Sequence, residues 1–292
     1  DSFGLENVLW FANNKEDAHE EPTIKRSRSH DYVSKEVINV RENVGLIEVA
    51  NFSKHEFKGS DARKFLDHIM AGKLPKPGRI SLSPMLSYRG KLCGDLTVAC
   101  HDENEFIVFG SGAAQEMHRR WFESHLVKFN VNYKNRSDEY HGLSIAGPNS
   151  RKVLEKIVRE DVTNEKFKFR DSRRMFVGSV PAIVNRISFT GELGYEIYVL
   201  PHYQIKLYEE LMEAGKEFDI KPFGSRALMS MRLEKNWGAW TLDYRPDFTP
   251  KETGLDKFIN WEKDFVGKDY AKKDNSKYKL TPLIVETNDI DV

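Results

Sequence analysis

Two carboxylates stand where strand-forming sequence leaves them little access to water. Asp95 lies in RGKLCGDLTVACHD, just after Gly94 and beside the apolar Leu96 and Val98. A carboxylate in such a run costs several kcal/mol unless it is paired or hydrogen-bonded. It therefore caps a turn, meets an arginine, or serves as a buried acceptor for an amine or ring nitrogen. The second, Glu196, follows Gly191-Glu192-Leu193-Gly194 in RISFTGELGYEIYVL. That stretch reads either as a tight turn between strands or as a ligand site with Glu196 aimed inward. Period-two alternation after Gly194 puts Tyr195, Ile197 and Val199 on one face and Glu196 and Tyr198 on the other. Two buried carboxylates among aromatics suit a flat, nitrogen-rich heterocycle. Glu196 would accept from ring N–H and amino groups, and Phe189 or Tyr195 would pack against the plane. Arg226 and Arg232, six residues apart in RALMSMRLEKNWGAW and so not quite on one helical face, are the candidate cations. Either can neutralise a buried carboxylate or hold a ligand carboxylate in bidentate fashion.

The elements that must position these groups can be read around them. VGLIEVANFSKHEFKG alternates as strands, and SDARKFLDHIM is a helix with Ser60 or Asp61 as its cap. SLSPMLSYRG, KLCGDLTVACHD and EFIVFGS form an antiparallel meander. AAQEMHRRWFESHLV is an amphipathic helix, FNVNYKN and HGLSIAG are strands, and PNSRKVLEKIV is a helix with Pro148 near its first turn. HYQIKLYEELMEAGKEF and FGSRALMSMRLEKNW are helices, and the polar tail holds one more short strand near TPLIVETNDIDV. Residues 13–31 are a solvated connector whose KRSR run reads as a wet surface. The fold class is α+β, with two interleaved lobes.

Composition narrows the function. Lys+Arg and Asp+Glu balance at 45 each, which leaves no general electrostatic case for nucleic acid as a partner. No apolar run approaches membrane-spanning length, so no membrane partner is expected. Cys93 and Cys100 share one strand; they lack zinc-site spacing and are poor disulfide partners, so no metal is expected and a reducing compartment is. The start, DSFGLENVLWF, is not a signal peptide and lacks an initiator Met, which suggests a processed or excised chain.

The motifs around both carboxylates resemble those of the aminomethyltransferase family, the folate-binding T-protein of glycine cleavage. TGELGYEI resembles TGE-x-G-[FY]-E-I, GKLCGDLTV resembles GG-x-x-DDL-x-V, and FGSRALMSMRLE resembles G-x-x-ARD-x-LRLE. VRENVGLIEVANFSKHEFKGSDARKFLD resembles that family's VR-x-x-VGL-x-DVS segment and following helix. RLEKNWGAWTLDYRPDFTPKETGL is similar in particular to the folate-binding half of dimethylglycine and sarcosine dehydrogenases, and FGLENVLWF to the junction where their flavin-binding half ends. The resemblance covers about residues 1–280. Departures exist: Gly94 stands for the first aspartate of the DD pair, GSGA (Gly110–Ala113) for NAAN, and EVANF for DVSH.

The resemblance implies a two-lobed folate-binding fold, with 1–50 plus 142–250 as one lobe and 51–141 as an inserted second. Residues 251–292 would be a linker and the start of a truncated C-terminal domain. It implies Asp95 as the catalytic carboxylate and Glu196 as the pterin anchor, with Phe189, Tyr195 and Arg226 at the folate site. The cofactor would be tetrahydrofolate, and FAD would enter only with an N-terminal domain outside this chain, since no G-x-G-x-x-G occurs. The partners are a one-carbon donor and a flavin-binding oxidase domain or subunit. The implied activity is capture of the carbon from dimethylglycine or sarcosine oxidation as 5,10-methylenetetrahydrofolate, in a bacterial cytoplasm or a mitochondrial matrix. A stand-alone aminomethyltransferase serving a lipoyl carrier, a methyl-donor demethylase, and a non-enzymatic folate-binding protein are the alternatives.

Overall fold

The computed structural model describes residues 6–20 and 22–286. In chain order its elements are α1 (His30–Glu42), β1 (Gly45–Glu48), β2 (Ser53–Lys58), α2 (Ala62–Ile69), β3 (Arg79–Leu86), β4 (Leu92–Asp102), β5 (Glu105–Gly110), α3 (Gln115–Leu126), β6 (Asn132–Asn135), β7 (His141–Ala146), α4 (Ser150–Ile157), β8 (Ser172–Val177), β9 (Val180–Asn185), β10 (Gly194–Val199), α5 (Gln204–Gly215), β11 (Lys221–Pro222), α6 (Ser225–Glu234), α7 (Pro250–Thr253) and α8 (Lys268–Lys272). One sheet has the order β11-β1-β7-β10-β9-β8 and the other β3-β4-β5-β2-β6. Their pairings are antiparallel except that of β1 with β11. The fold is α+β, with helices packed on the sheets.

Strand alternation sorts the apolar side chains into layers. Tyr195, Ile197 and Val199 of β10 join Val153 and Leu154 of α4 and Leu207 and Leu211 of α5 on the outer side of the first sheet. On the outer side of the second, Leu96, Val98 and Cys100 of β4 pack with Phe65, Leu66 and Ile69 of α2 and Phe122 of α3. Between the sheets lie Val49, Ile183 and Tyr198 from one and Ile80, Ala99, Ile107 and Phe109 from the other. Each fully buried Leu, Ile or Phe contributes about 1.5–3 kcal/mol, so both outer faces are anchored firmly and the interface between the sheets is the thinner layer.

Three local expectations change. α1 begins at His30, at the end of the stretch read as connector, and buries Val37 and Val40 against Phe223, Ala227 and Met231 around α6. Neither Ser60 nor Asp61 caps α2: the Asp61 carboxylate accepts from the Asn130 backbone N–H at 2.9 Å and Ser60 Oγ from the Asn130 amide at 2.9 Å. A long-range tie has taken the oxygens that a local cap would use. No strand forms over residues 281–286, and the rest of that tail expectation lies outside the described residues.

Residues 249–265 dock on the second sheet. Thr249 and Glu252 form a reciprocal capping box at α7. Leu255, Ile259 and Phe265 then pack with Ala71, Leu86, Leu92 and Tyr244. No helix among the described residues is long and apolar enough to cross a membrane.

Candidate functional site

A cavity of about 1050 Å³ is lined by residues of both sheets. Small-molecule sites occupy roughly 300–1,000 Å³, so this one suits a large ligand. Its floor takes Asp95 and Thr97 from β4 and Glu196 from β10; its walls include Phe52, Phe109, Phe189, Trp237, Trp240 and Tyr244. Thus Asp95 and Glu196, which begin on different sheets, face one space.

The TGELG stretch is a turn, and the strand it leads into carries Glu196 to the cavity. Gly191 has φ 78°, and a Cβ there would lie 2.4 Å from Lys235 Cγ. Thr190 Oγ1 accepts from the Glu192 N–H at 3.2 Å, and the Glu192 carboxylate lies 3.5 Å from Lys235 Nζ at the surface. Glu196 goes the other way. It pairs across to Ser144 on β7 and Asn185 on β9, and is buried. Tyr198, two residues on and on the same face, donates its hydroxyl to Glu196 Oε2 at 2.8 Å. Burial pushes the Glu196 carboxyl up to about 7, against the Tyr198 hydrogen bond and the positive charge of Lys54.

Asp95 lies opposite Pro84 of β3, in a part of the meander that no β5 strand covers. It retains partial accessibility through the cavity. Burial raises its carboxyl to about 7, with its own backbone N–H opposing. That is a suitable value for a group that must both take and give a proton near neutrality. The adjoining Gly94 is explained from the other side of the sheet. A Cβ at 94 would come 2.8 Å from Nε2 of His118 on α3. This imidazole is buried, and its Nε2 donates to the Cys93 carbonyl at 2.9 Å, because a carbonyl only accepts. His118 fills the space that an aspartate side chain would need.

The other candidates separate. Phe189 lines the cavity. Tyr195 does not; strand alternation turns it to the opposite face from Glu196, stacked on Phe167 at 5.8 Å, with its hydroxyl accepting from Arg151 Nε at 3.2 Å. Arg226 also points elsewhere. Its guanidinium donates to Ser29 Oγ at 2.7 Å and to Glu20, and sits 5.0 Å over the Trp10 ring. The α6 side chains in the cavity are Ser225, Leu228 and Met229, roughly one turn apart, and the 100° step per residue carries Arg226 off that face. Arg226→Ala is therefore expected to cost about 1 kcal/mol in a denaturant titration and to leave ligand affinity unchanged.

Arg232 is buried and acts at one remove. It donates to the Trp237 carbonyl at 2.9 Å and pairs with Asp243, whose Oδ2 also accepts from the Ala239 N–H at 2.9 Å. These bonds fold residues 236–244 into a strap over the cavity. Asn236 and Thr241 have φ of 56° and 72° in that strap. A β-branched residue in the left-handed region is strained, and strain of this kind gathers at functional sites. Arg170, the one cation among the described lining residues, shows it too, with φ 67°. Nothing in the sequence marked Arg170: it follows Lys168-Phe169 in an irregular stretch, and its placement depends on Ile80, whose N–H donates to the Arg170 carbonyl at 2.8 Å.

The profile of the GCVT N-terminal domain family matches residues 1–263. Mitochondrial dimethylglycine dehydrogenase of Homo sapiens is 36% identical over 296 residues, which cover 99% of this chain and 34% of that protein. The aminomethyltransferase of Caldanaerobacter subterraneus subsp. tengcongensis is 30% identical over 237 residues, 80% of this chain and 63% of that one. Among solved structures, the glycine cleavage system aminomethyltransferase T from Bartonella henselae matches with a TM-score of 0.76 at 21% identity, covering 87% of this chain and 70% of that chain. The two share the aminomethyltransferase-type fold. The chain spans about a third of the length of the dimethylglycine dehydrogenases it matches.

Proposed function

The chain belongs to the GCVT N-terminal domain family, and on that premise we propose that it is a tetrahydrofolate-dependent one-carbon transfer unit, capturing carbon from N-methylamine oxidation as 5,10-methylenetetrahydrofolate. The observation that carries this reading is that Asp95 and Glu196 line one cavity large enough for a folate. The residues fit such a ligand. Glu196, once ionised, is an acceptor for the N–H and amino groups of a pterin, and Tyr198 fixes which oxygen stays free by binding the other. Phe189 offers a face for a planar ring, and Arg170 a cation for an anionic tail.

Bound tetrahydrofolate would supply the amine nitrogens that receive the carbon. Asp95 would hold a proton at, or remove one from, the reacting nitrogen and offset positive charge developing there. The strap held by Arg232 and Asp243 would keep water out of that space. An oxidase acting on dimethylglycine or sarcosine would provide the carbon, and FAD belongs to that oxidase. The unit would work in a mitochondrial matrix or a bacterial cytoplasm, where Cys93 and Cys100 stay free thiols.

Calorimetric titration with tetrahydrofolate tests the reading. Saturable binding is expected, with Glu196→Gln weakening it about a hundredfold because a charge-assisted acceptor is lost and ligand donors are left unpaired. No binding by the folded chain would overturn it.

A further inference from the structure

Lys54, the second residue of β2, is fully buried, an unusual place for an ammonium group. Its acceptors among the described residues are carbonyls, those of Ala50 at 2.6 Å and Ser137 at 3.5 Å, and not a carboxylate. Its backbone is tied to the same turn, since Lys54 N donates to Ser137 Oγ at 3.0 Å and Arg136 N to the Lys54 carbonyl at 2.8 Å. The ammonium lies 5.8 Å over the ring of Tyr198, within cation–π range. That ring is held at 4.7 Å from Phe109 of the opposite sheet, and its hydroxyl is the one that Glu196 accepts.

We propose that Lys54 is a positioning residue for Glu196: seated on the face of Tyr198, its buried charge strengthens the Tyr198–Glu196 hydrogen bond and keeps the carboxylate ionised as the ligand's acceptor. The inference rests on the reading of Glu196 as the ligand anchor. A cation over a phenol ring draws electron density from the hydroxyl and makes it a better donor. The same cation attracts Glu196 directly through a medium of low polarity. The remaining charges that face Lys54 are Asp138, beyond β6, and Glu48 on β1. Glu56 on its own strand is engaged by Lys58 at 3.0 Å and Arg136 at 3.8 Å. Glu48 accepts from the Gln204 amide at 2.7 Å. Burial lowers the Lys54 amine to about 8, so a charge so sparsely compensated costs folding stability. Retaining it at that cost is what a functional role explains.

The test is the pH dependence of tetrahydrofolate affinity, measured in an Asp95→Asn background so that the other cavity carboxylate does not titrate. With Lys54 present, affinity should rise through pH 7 as Glu196 ionises and fall above pH 8 as Lys54 discharges. Lys54→Met should bind about tenfold more weakly at pH 7.5, shift the acid limb to higher pH and abolish the alkaline limb. Its thermal midpoint should not fall, because a methionine of similar length replaces a poorly compensated charge. Tyr198→Phe should give a similar loss, and the double variant should lose little more. Wild-type affinity in Lys54→Met overturns the proposal while Glu196→Gln still reports on the anchor. A loss that comes with a lowered midpoint and an intact alkaline limb overturns it too, because that is the signature of a structural role. Absence of binding in the parent chain removes the anchor reading itself, before any variant is compared.

Discussion

Asp95→Asn is expected to slow trapping of formaldehyde by tetrahydrofolate, measured above the uncatalysed background, by about 10²–10⁴-fold, while calorimetric affinity stays within about threefold. Asparagine keeps the size and one acceptor oxygen of the carboxylate, so the cavity wall is preserved; it cannot take or hold the proton. The pH–rate profile carries the sharper signature. Asp95 titrates at about 7, so the wild-type profile should bend there and the variant's should not. Stability gives an independent reading of the same group. The folded-state pKa is raised above the ordinary 3.8, so the folded protein prefers the protonated form. The stability associated with that preference is fully present below pH 3.8 and is lost as pH rises through 7. Asp95→Asn should therefore be more stable than wild type at pH 8, by about 1–2 kcal/mol in urea titrations, and equal to it near pH 3. A variant that loses activity but gains stability at alkaline pH would mark Asp95 as a group kept for chemistry. Unchanged kinetics would remove Asp95 from the reaction.

The parts of this arrangement that were readable in the sequence are those fixed by strand geometry. Once Gly194 opens β10, alternation alone puts Glu196 beside Tyr198 and opposite Tyr195, and the structure has them so. The same rule that turned Glu196 toward the cavity excluded Tyr195 from it. The β3-β4-β5 meander was equally legible, because each strand is long and bounded by polar turns. What sequence could not supply was the identity of distant partners. Arg226 and Arg232 sit on one helix, yet their roles are set by Glu20, Trp10 and Asp243, which no local pattern names. Lys54, Glu56 and Lys58 alternate like the wet face of an edge strand. That face is covered instead by the first sheet, and only Lys58 reaches the surface. Burial of a polar face is a property of sheet stacking, invisible until both sheets are placed.

Gly94 stands where the motif this segment resembles has the first of two aspartates, and Gly94→Asp is expected to cost about 3 kcal/mol. The new Cβ would meet His118 Nε2 at 2.8 Å, well inside normal contact. The ring has little room to yield. It is packed near Phe122 and Trp240 at 6.2 Å and would have to give up its bond to the Cys93 carbonyl. A second carboxylate would also enter an interior that already pushes the neighbouring Asp95 up to about 7 and His118 down to about 4. His118 is thus neutral at pH 7 and cannot serve as a ready counter-charge. Truncating the obstacle separates the two costs: Gly94→Asp/His118→Ala should recover the steric part of the loss but keep the desolvation part, so the double variant should be less stable than His118→Ala alone by a margin that shrinks as pH is lowered and the new aspartate protonates. The denaturant midpoints of the four proteins at pH 5 and pH 8 give that margin directly. If Gly94→Asp proves as stable as wild type, the imidazole moves freely and does not account for the glycine. If the full cost persists without His118, strand pairing against Met85, not the ring behind it, is what requires glycine at this position.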